Sequence, residues 1–308
     1  MKRLFPALLC ALLLTACAPA SPPGDDGVLR VAATIFPAYD FARAAAGDLA
    51  EVTLLLPPGA ESHSYEPTPA DILTVRDCDL FLYLGGESDA WVDTVLDAAE
   101  PTGRVLRMMD CVELLEEGED ESHRHHHEAG EVEELDEHVW TDPENAAAIT
   151  RAAGEALAEL DPANAQAYRA NAENYAEQLE ALDREFAAFF AESPCKTMVF
   201  GDRFPLRYFA EAYGLDCRAA FPGCGAQTEP SAAVMAYLME KVRAENLSTV
   251  WHIEFSNHLV ADAVAEAAGA ETALFHSCHN VSQADLDAGV TYLTLMEANL
   301  ESLRAHMP

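Results

Sequence analysis

Three histidines and one aspartate lie just after apolar, strand-like segments of the chain. These residues are His63, His138, Asp202 and His276. In open parallel sheets, the loops at the carboxyl ends of the strands form the ligand site, so these side chains are expected to meet. Three imidazoles and one carboxylate complete a tetrahedral set for Zn²⁺. Because Mn²⁺ prefers more oxygen ligands, this nitrogen-rich set favours zinc and leaves manganese as the alternative.

The segment around His138 contains side chains that would fix its ring. Asp136 lies two residues earlier and is expected to bind the second imidazole nitrogen, as carboxylates do beside metal-binding histidines. Trp140 is expected to pack inward, and Asp142 is expected to cap the helix that follows. His138 is therefore predicted to lie on a rigid turn.

Short apolar runs alternate with amphipathic stretches in both halves of the chain, which is the pattern of βα units. The predicted strands cover residues 28–34, 52–56, 80–84 and 105–108, and then 197–200, 217–221, 249–254 and 272–275. Three motifs also recur in the same order in both halves, the last being Glu-Pro followed by Thr68 or Ser231 as the expected helix cap. We therefore expect an α/β fold of two similar domains with central, mainly parallel sheets and a metal site in the cleft between them.

A segment rich in Ala, Glu and Leu separates the two series of strands. It predicts two helices interrupted at Asp161-Pro162, and the second is long enough to bridge both domains as a rigid rod. The expected N-terminal α/β domain covers residues 28–160, the bridging helix covers 161–193, and the C-terminal α/β domain covers 194–308. A rod between two lobes would permit only modest hinge motion.

The first residues predict export. Lys2 and Arg3 precede an apolar run that is too short to span a bilayer as a stable helix. The run ends in Leu-Thr-Ala-Cys17, which resembles a bacterial lipobox, so residues 1–17 are predicted to be a lipoprotein signal peptide with Cys17 as the acylated residue. Residues 18–27 predict a flexible tether. We expect an extracytoplasmic protein anchored to the cell membrane by its lipid.

Charge and histidine content narrow the choice of partners. A formal net charge of −35 argues against a nucleic-acid partner, because phosphates would be repelled. Residues 113–137 form an acidic, histidine-rich loop, which suits weak collection of metal ions. Its clustered histidines are His123, His125, His126 and His127. The alternative is a solvated loop whose histidines have no role.

Three features resemble the metal-specific cluster of ABC-transporter solute-binding proteins, which comprises the zinc-uptake lipoproteins and their manganese-binding relatives. They are His63 with the following Tyr-Glu-Pro-Thr-Pro, the run Asp136-x-His138-x-Trp140, and the bridging helix. The resemblance covers essentially the whole mature chain. It implies a receptor that captures Zn²⁺ and delivers it to a membrane permease, with His63 and His138 as first-domain ligands.

The second domain departs from the pattern of that family. Zinc-binding members usually have His-Asp after the first strand of this domain, whereas here the segment reads Gly-Asp202-Arg. Asp202 is preferred as the third ligand, because manganese-type relatives place a carboxylate nearby. Glu254, Cys224 and His279 are the alternatives. His276 corresponds to the fourth ligand position, which is commonly an Asp or Glu.

Six of the eight cysteines remain once Cys10 and Cys17 are assigned to the signal peptide. Thiols outside the cytoplasm tend to pair, so disulfides are expected, although their connectivity is not fixed by the sequence. The pairs that strand positions favour are Cys224 with Cys278, Cys195 with Cys217, and Cys78 with Cys111.

A zinc hydrolase is the main competing hypothesis. It would need an open coordination position and a general base, as in His-Glu-x-x-His helices. The sequence has no such motif, and the candidate ligands are dispersed over four loops. We therefore expect a binding protein, not an enzyme, and a monomer. A surface adhesin would share the fold and the anchor, but nothing in the sequence names a host ligand.

Overall fold

Four parallel strands form the sheet of the first domain. The computed structural model describes residues 27–116, 135–221 and 230–307. The strands β1 (Leu29–Ala33), β2 (Ala50–Leu54), β3 (Leu80–Tyr83) and β4 (Arg104–Arg107) pair in the order β2-β1-β3-β4. Most side chains of the two central strands are buried, as expected for a sheet with helices on both faces.

Three helices connect these strands: α1 (Phe36–Ala46), α2 (Pro69–Asp77) and α3 (Ala90–Ala99). The predicted cap Thr68 accepts the backbone N–H of Asp71, whose carboxylate in turn accepts the backbone N–H of Thr68. This reciprocal pair satisfies two otherwise unpaired donors at the start of α2. It therefore fixes where the loop that carries His63 enters the helix.

The second domain repeats this arrangement. The strands β5 (Thr197–Arg203), β6 (Asp216–Phe221), β7 (Thr249–His252) and β8 (Glu271–Leu274) are parallel and pair in the order β6-β5-β7-β8. The helices are α6 (Arg207–Tyr213), α7 (Ala232–Ala244), α8 (Leu259–Ala268), α9 (Gln283–Asp287) and α10 (Tyr292–His306). Ser231 caps α7, as predicted. The expected fold of two similar α/β domains is confirmed.

Two helices between the domains, α4 (Pro143–Leu160) and α5 (Ala165–Glu192), connect the two sheets. The predicted cap Asp142 accepts the backbone N–H of Glu144 at 2.9 Å. At the start of α5, the Tyr168 hydroxyl donates to the Leu49 carbonyl of the first domain. Near its end, the ring of Phe186 packs against Phe209 of α6, with 5.1 Å between ring centroids. The long helix thus contacts both domains.

A buried carboxylate joins the domains at the centre of their shared core. Asp40 of α1 is 1% exposed. It accepts hydrogen bonds from the Tyr175 hydroxyl of α5 at 2.6 Å, from the Tyr292 backbone N–H of α10 at 2.9 Å, and from Arg43. Burial raises the pKa of Asp40, and these donors oppose the increase. One side chain thereby links the first domain, the bridging helix and the second domain.

Two of the predicted disulfides are absent. Cys78 precedes β3 whereas Cys111 follows the neighbouring parallel strand β4, so they lie at opposite ends of these two strands. Cys195 precedes β5 by two residues, and Cys217 pairs with the second residue of that strand, three positions further along. Because a strand rises by about 3.3 Å per residue, both separations exceed the Cα spacing of about 4.4–6.8 Å that a disulfide allows. All four are free thiols.

Several predicted features lie outside the described residues. They include the signal peptide with Cys17 and most of the tether, and Cys224, the expected partner of Cys278. Cys278 itself is a buried free thiol. The loop histidines His123, His125, His126 and His127 are also outside. Within the part of the chain that the structure covers, no helix has the length and apolar composition needed to cross a bilayer.

Asp89 is a buried carboxyl group that should make stability depend on pH. It accepts the backbone N–H of Leu84 at 2.7 Å and the hydroxyl of Thr34 at 3.2 Å, but burial raises its pKa to about 6. Above the unfolded pKa of about 3.9, the folded state therefore holds this proton more tightly, and stability decreases as pH rises to about 6. Asp89→Asn should flatten the dependence of Tm on pH in this window. A slope equal to that of the parent would contradict the raised pKa.

Candidate metal centre

His138 is buried immediately before a short 3-10 helix, Val139–Thr141, and is 3% exposed. Asp136 contacts its ring, as predicted: Asp136 Oδ1 lies 3.1 Å from His138 Nδ1 and accepts the His138 backbone N–H at 2.8 Å. Burial by itself would raise the pKa of Asp136, but His138 and Arg207 hold it below its usual value. An ionised carboxylate keeps the proton on Nδ1 and leaves the Nε2 lone pair for a metal ion.

Asp136→Asn should weaken metal binding without removing a ligand. The amide lacks the negative charge that keeps the proton on His138 Nδ1 and makes Nε2 more basic, so zinc affinity should fall about 10–100-fold. Isothermal titration calorimetry would measure the change. Asp142→Asn is the matched control, since asparagine also caps helices and Asp142 lies outside the contact with the ring. Equal affinities for Asp136→Asn and the parent would exclude this orienting role.

The second domain holds the segment that leads to His138. The Tyr208 hydroxyl donates to the carbonyl of Asp136 at 2.9 Å and accepts the backbone N–H of Leu115 at 3.1 Å. The backbone N–H of Asp136 also donates to the carbonyl of Leu115 at 2.9 Å. The two ends of the acidic insertion are thereby joined beside His138.

Backbone atoms of the loop that carries His63 form hydrogen bonds with the second domain. Gly59 has a φ of +75°, which suits glycine, and its N–H donates to the carbonyl of Val281 at 2.9 Å. The Asn280 amide donates to the carbonyls of Pro57 and Ala60, both at 2.9 Å. His63 follows in the 3-10 helix Ser62–Ser64, and its side chain lies outside the described part of the structure.

His279 is the second-domain histidine that meets His138. Its ring centroid lies 6.4 Å from that of His138 and 5.2 Å from that of Trp140. The preceding residue, Cys278, has a φ of +61°, so the chain turns sharply after β8 before it reaches His279. Because Asn280, the next residue, is bonded to the loop before His63, His279 lies near both first-domain segments that carry the predicted histidines.

His276 is hydrogen-bonded within the turn that follows β8. Its Nδ1 accepts the backbone N–H of Cys278 at 2.9 Å, so a contact within the turn occupies this nitrogen. Glu254, one of the alternatives, accepts both the backbone N–H and the hydroxyl of Ser277, at 2.7 and 2.6 Å. These side chains shape the turn that leads to His279.

The carboxylate of Asp202 accepts hydrogen bonds from within the second domain. It accepts the backbone N–H of Ile253 at 3.0 Å and the hydroxyl of Ser256 at 2.7 Å. Burial raises its pKa, while these hydrogen bonds and the nearby rings of His252 and His258 oppose the increase. Asp202 therefore ties the end of β5 to the loop after β7, which explains an aspartate there without a metal.

Within the described ranges, no three His, Cys, Asp or Glu side chains are grouped closely enough to hold a metal ion. Among these residues, the rings of His138 and His279 approach each other across the cleft. The sequence offered one signal for this arrangement. Asn280, directly after His279, is a side chain that can bind two backbone carbonyls at once.

The family described as ZnuA, zinc-uptake complex component A, periplasmic, matches residues 31–306. The chain belongs to this family. Its membership confirms the resemblance inferred from the motifs at His63 and His138. It also agrees with the expectation of a solute-binding protein rather than an enzyme.

Known relatives share both sequence and fold with this chain. The zinc-binding lipoprotein AdcA of Streptococcus pneumoniae is 32% identical over 99% of the chain, which spans 61% of the length of AdcA. The high-affinity zinc uptake system protein ZnuA of Bacillus subtilis is 29% identical, over 98% of this chain and 96% of its own length. The crystal structure of the Zn(II)-bound ZnuA-like domain of S. pneumoniae AdcA has a TM-score of 0.75 at 28% identity, covering 91% of this chain and 99% of that domain.

Proposed function

We propose that this protein binds Zn²⁺ outside the cytoplasm, in the cleft between its domains, and delivers it to the permease of an ABC transporter. The observation that carries the proposal is the approach of His279 to His138 across the cleft, beside the loop of His63. Membership in the zinc-uptake family supports the role, and the zinc-bound relative supports the choice of ion.

We further propose His63, His138 and His279 as the protein ligands. Three imidazoles with one exchangeable position form a common zinc environment, and an exchangeable position suits a carrier that must release its ion. His279 takes the place of Asp202 and His276 because hydrogen bonds occupy the carboxylate of Asp202 and Nδ1 of His276. The role of His63 rests on its motif and on the backbone contacts of its loop.

Two features of the sequence complete the proposal. Acylation of Cys17 would hold the receptor at the membrane, next to the permease. The histidines of residues 113–137 would collect metal ions weakly and raise their concentration near His138, because both ends of this loop are joined there. The receptor acts as a monomer.

Metal titration tests the proposed function. The purified mature chain, freed of metal, would be titrated with Zn²⁺ and with Mn²⁺ against a chromophoric chelator. We expect one tight zinc site and much weaker manganese binding, because imidazole ligands suit zinc. Tight binding of Mn²⁺ alone would identify a manganese receptor. Absence of any tight site would overturn the proposal.

A further inference from the structure

We propose that Trp140 is a positioning residue that sets the separation of His138 and His279, so that the metal site is largely formed before the ion arrives. This inference rests on the proposed function, since it concerns the same two imidazoles. The Trp140 ring is completely buried and packs against both imidazoles, with centroid distances of 5.3 Å to His138 and 5.2 Å to His279, while the two imidazole centroids lie 6.4 Å apart. A rigid indole that contacts both imidazoles holds them in position relative to each other.

Hydrogen bonds hold Trp140 at both its side chain and its backbone. The indole N–H donates across the cleft to the carbonyl of Ser277 at 2.9 Å, which connects it to the turn that carries His279. The carbonyl of Trp140 accepts the hydroxyl of Tyr292 at 2.7 Å. Both bonds are buried, where hydrogen bonds are stronger and the loss of one partner is costly. Trp140 therefore has little freedom to shift when the metal site is empty.

The partners of Trp140 are themselves anchored. The backbone N–H of Tyr292 donates to Asp40, which also accepts the hydroxyl of Tyr175 on the bridging helix. On the other side, the carboxylate of Glu254 holds Ser277 by its N–H and its hydroxyl. A continuous series of hydrogen bonds thus runs from the bridging helix through Trp140 to the turn before His279.

This arrangement predicts a specific effect on metal binding. Zinc requires its nitrogen ligands within about 2.0–2.1 Å, and a site whose supporting residues are loosened loses affinity even when all ligands are present. Trp140→Phe keeps an aromatic ring against the two histidines but removes the indole N–H and part of the contact surface. Zinc affinity should fall about 10–100-fold, as for other residues that orient metal ligands.

The experiment uses two matched tryptophan variants of the mature chain, Trp140→Phe and Trp251→Phe. Trp251 is also buried, but its ring packs against Phe275 and His306 rather than the cleft histidines. Zinc affinity and the visible d–d spectrum of bound Co²⁺ would be measured for each. The spectrum reports ligand geometry, so a loss of stability alone does not change it.

We expect Trp140→Phe to lower affinity and alter the Co²⁺ spectrum, and Trp251→Phe to leave both as in the parent. Equal affinities and spectra for the two variants would overturn the inference. If Trp140→Phe does not fold, Tyr292→Phe removes only the hydroxyl that holds the Trp140 carbonyl, and an unchanged Co²⁺ spectrum there would overturn it as well. A parent that binds neither Zn²⁺ nor Co²⁺ would instead refute the proposed function.

Discussion

Replacing His138 or His279 with alanine should weaken zinc binding on the order of 100- to 1000-fold. Zinc sites with about four ligands contribute about 10–16 kcal/mol, so each ligand accounts for about 3 kcal/mol, or roughly two to three powers of ten in affinity. Both rings lie on the cleft and border Trp140. Competition titration against a zinc chelator would measure the loss.

Two of the residues favoured by the sequence serve as controls for this result. Asp202→Ala should change zinc affinity less than about tenfold, because its hydrogen bonds lie within the second domain. His276→Ala should cost less than His279→Ala, because His276 supports the turn that carries His279. A larger loss for His276→Ala than for His279→Ala would contradict the proposed ligand set. Affinity in the parent should also fall as pH drops through the histidine range, because protons compete with the metal for the imidazoles.

Asp40→Ala should destabilise the protein by about 3–5 kcal/mol, which is the usual cost of removing one partner from a buried charged network. The substitution leaves Arg43, the Tyr175 hydroxyl and the backbone N–H of Tyr292 without their shared acceptor. Equilibrium unfolding in urea would measure the change. Because Asp40 links three parts of the fold, the two domains should also lose cooperativity, seen as a second transition.

Asp48→Ala is the control for this prediction. Asp48 is exposed in the short helix that follows α1, so its loss should change the free energy of unfolding by no more than about 0.5 kcal/mol. A cost below about 1 kcal/mol for Asp40→Ala would show that water replaces the lost carboxylate, and that this residue does not hold the domains together.

The elements of the fold were predictable because their signals are local. Alternating apolar runs placed all eight strands within a few residues of their observed bounds, and the caps Thr68, Asp142 and Ser231 lie at helix starts as expected. The repeated motifs of the two halves correspond to two sheets with the same strand order. Each of these features depends on neighbours within a few positions in the chain.

The contact between Asp136 and His138 was predictable for the same reason. Asp136 and His138 are two residues apart, so their contact depends on a single short turn. The predicted Cys78–Cys111 and Cys195–Cys217 disulfides were wrong because pairing depends on strand register and on which end of a strand a residue borders. Cys78 and Cys111 border neighbouring strands, yet they lie at opposite ends of them.

The position of His279 in the second domain depends on contacts between distant parts of the chain. His276 and His279 are three residues apart in one turn, and their sequence context does not distinguish them. Asn280 bonds to Pro57 and Ala60, more than 200 residues away, and Trp140 bonds to Ser277 across the cleft. These long-range hydrogen bonds position His279 at the cleft. The backbone N–H of Cys278 instead donates to Nδ1 of His276 within the same turn. Residue types and local spacing therefore established the fold and the histidine chemistry, and tertiary packing selected which histidine meets His138.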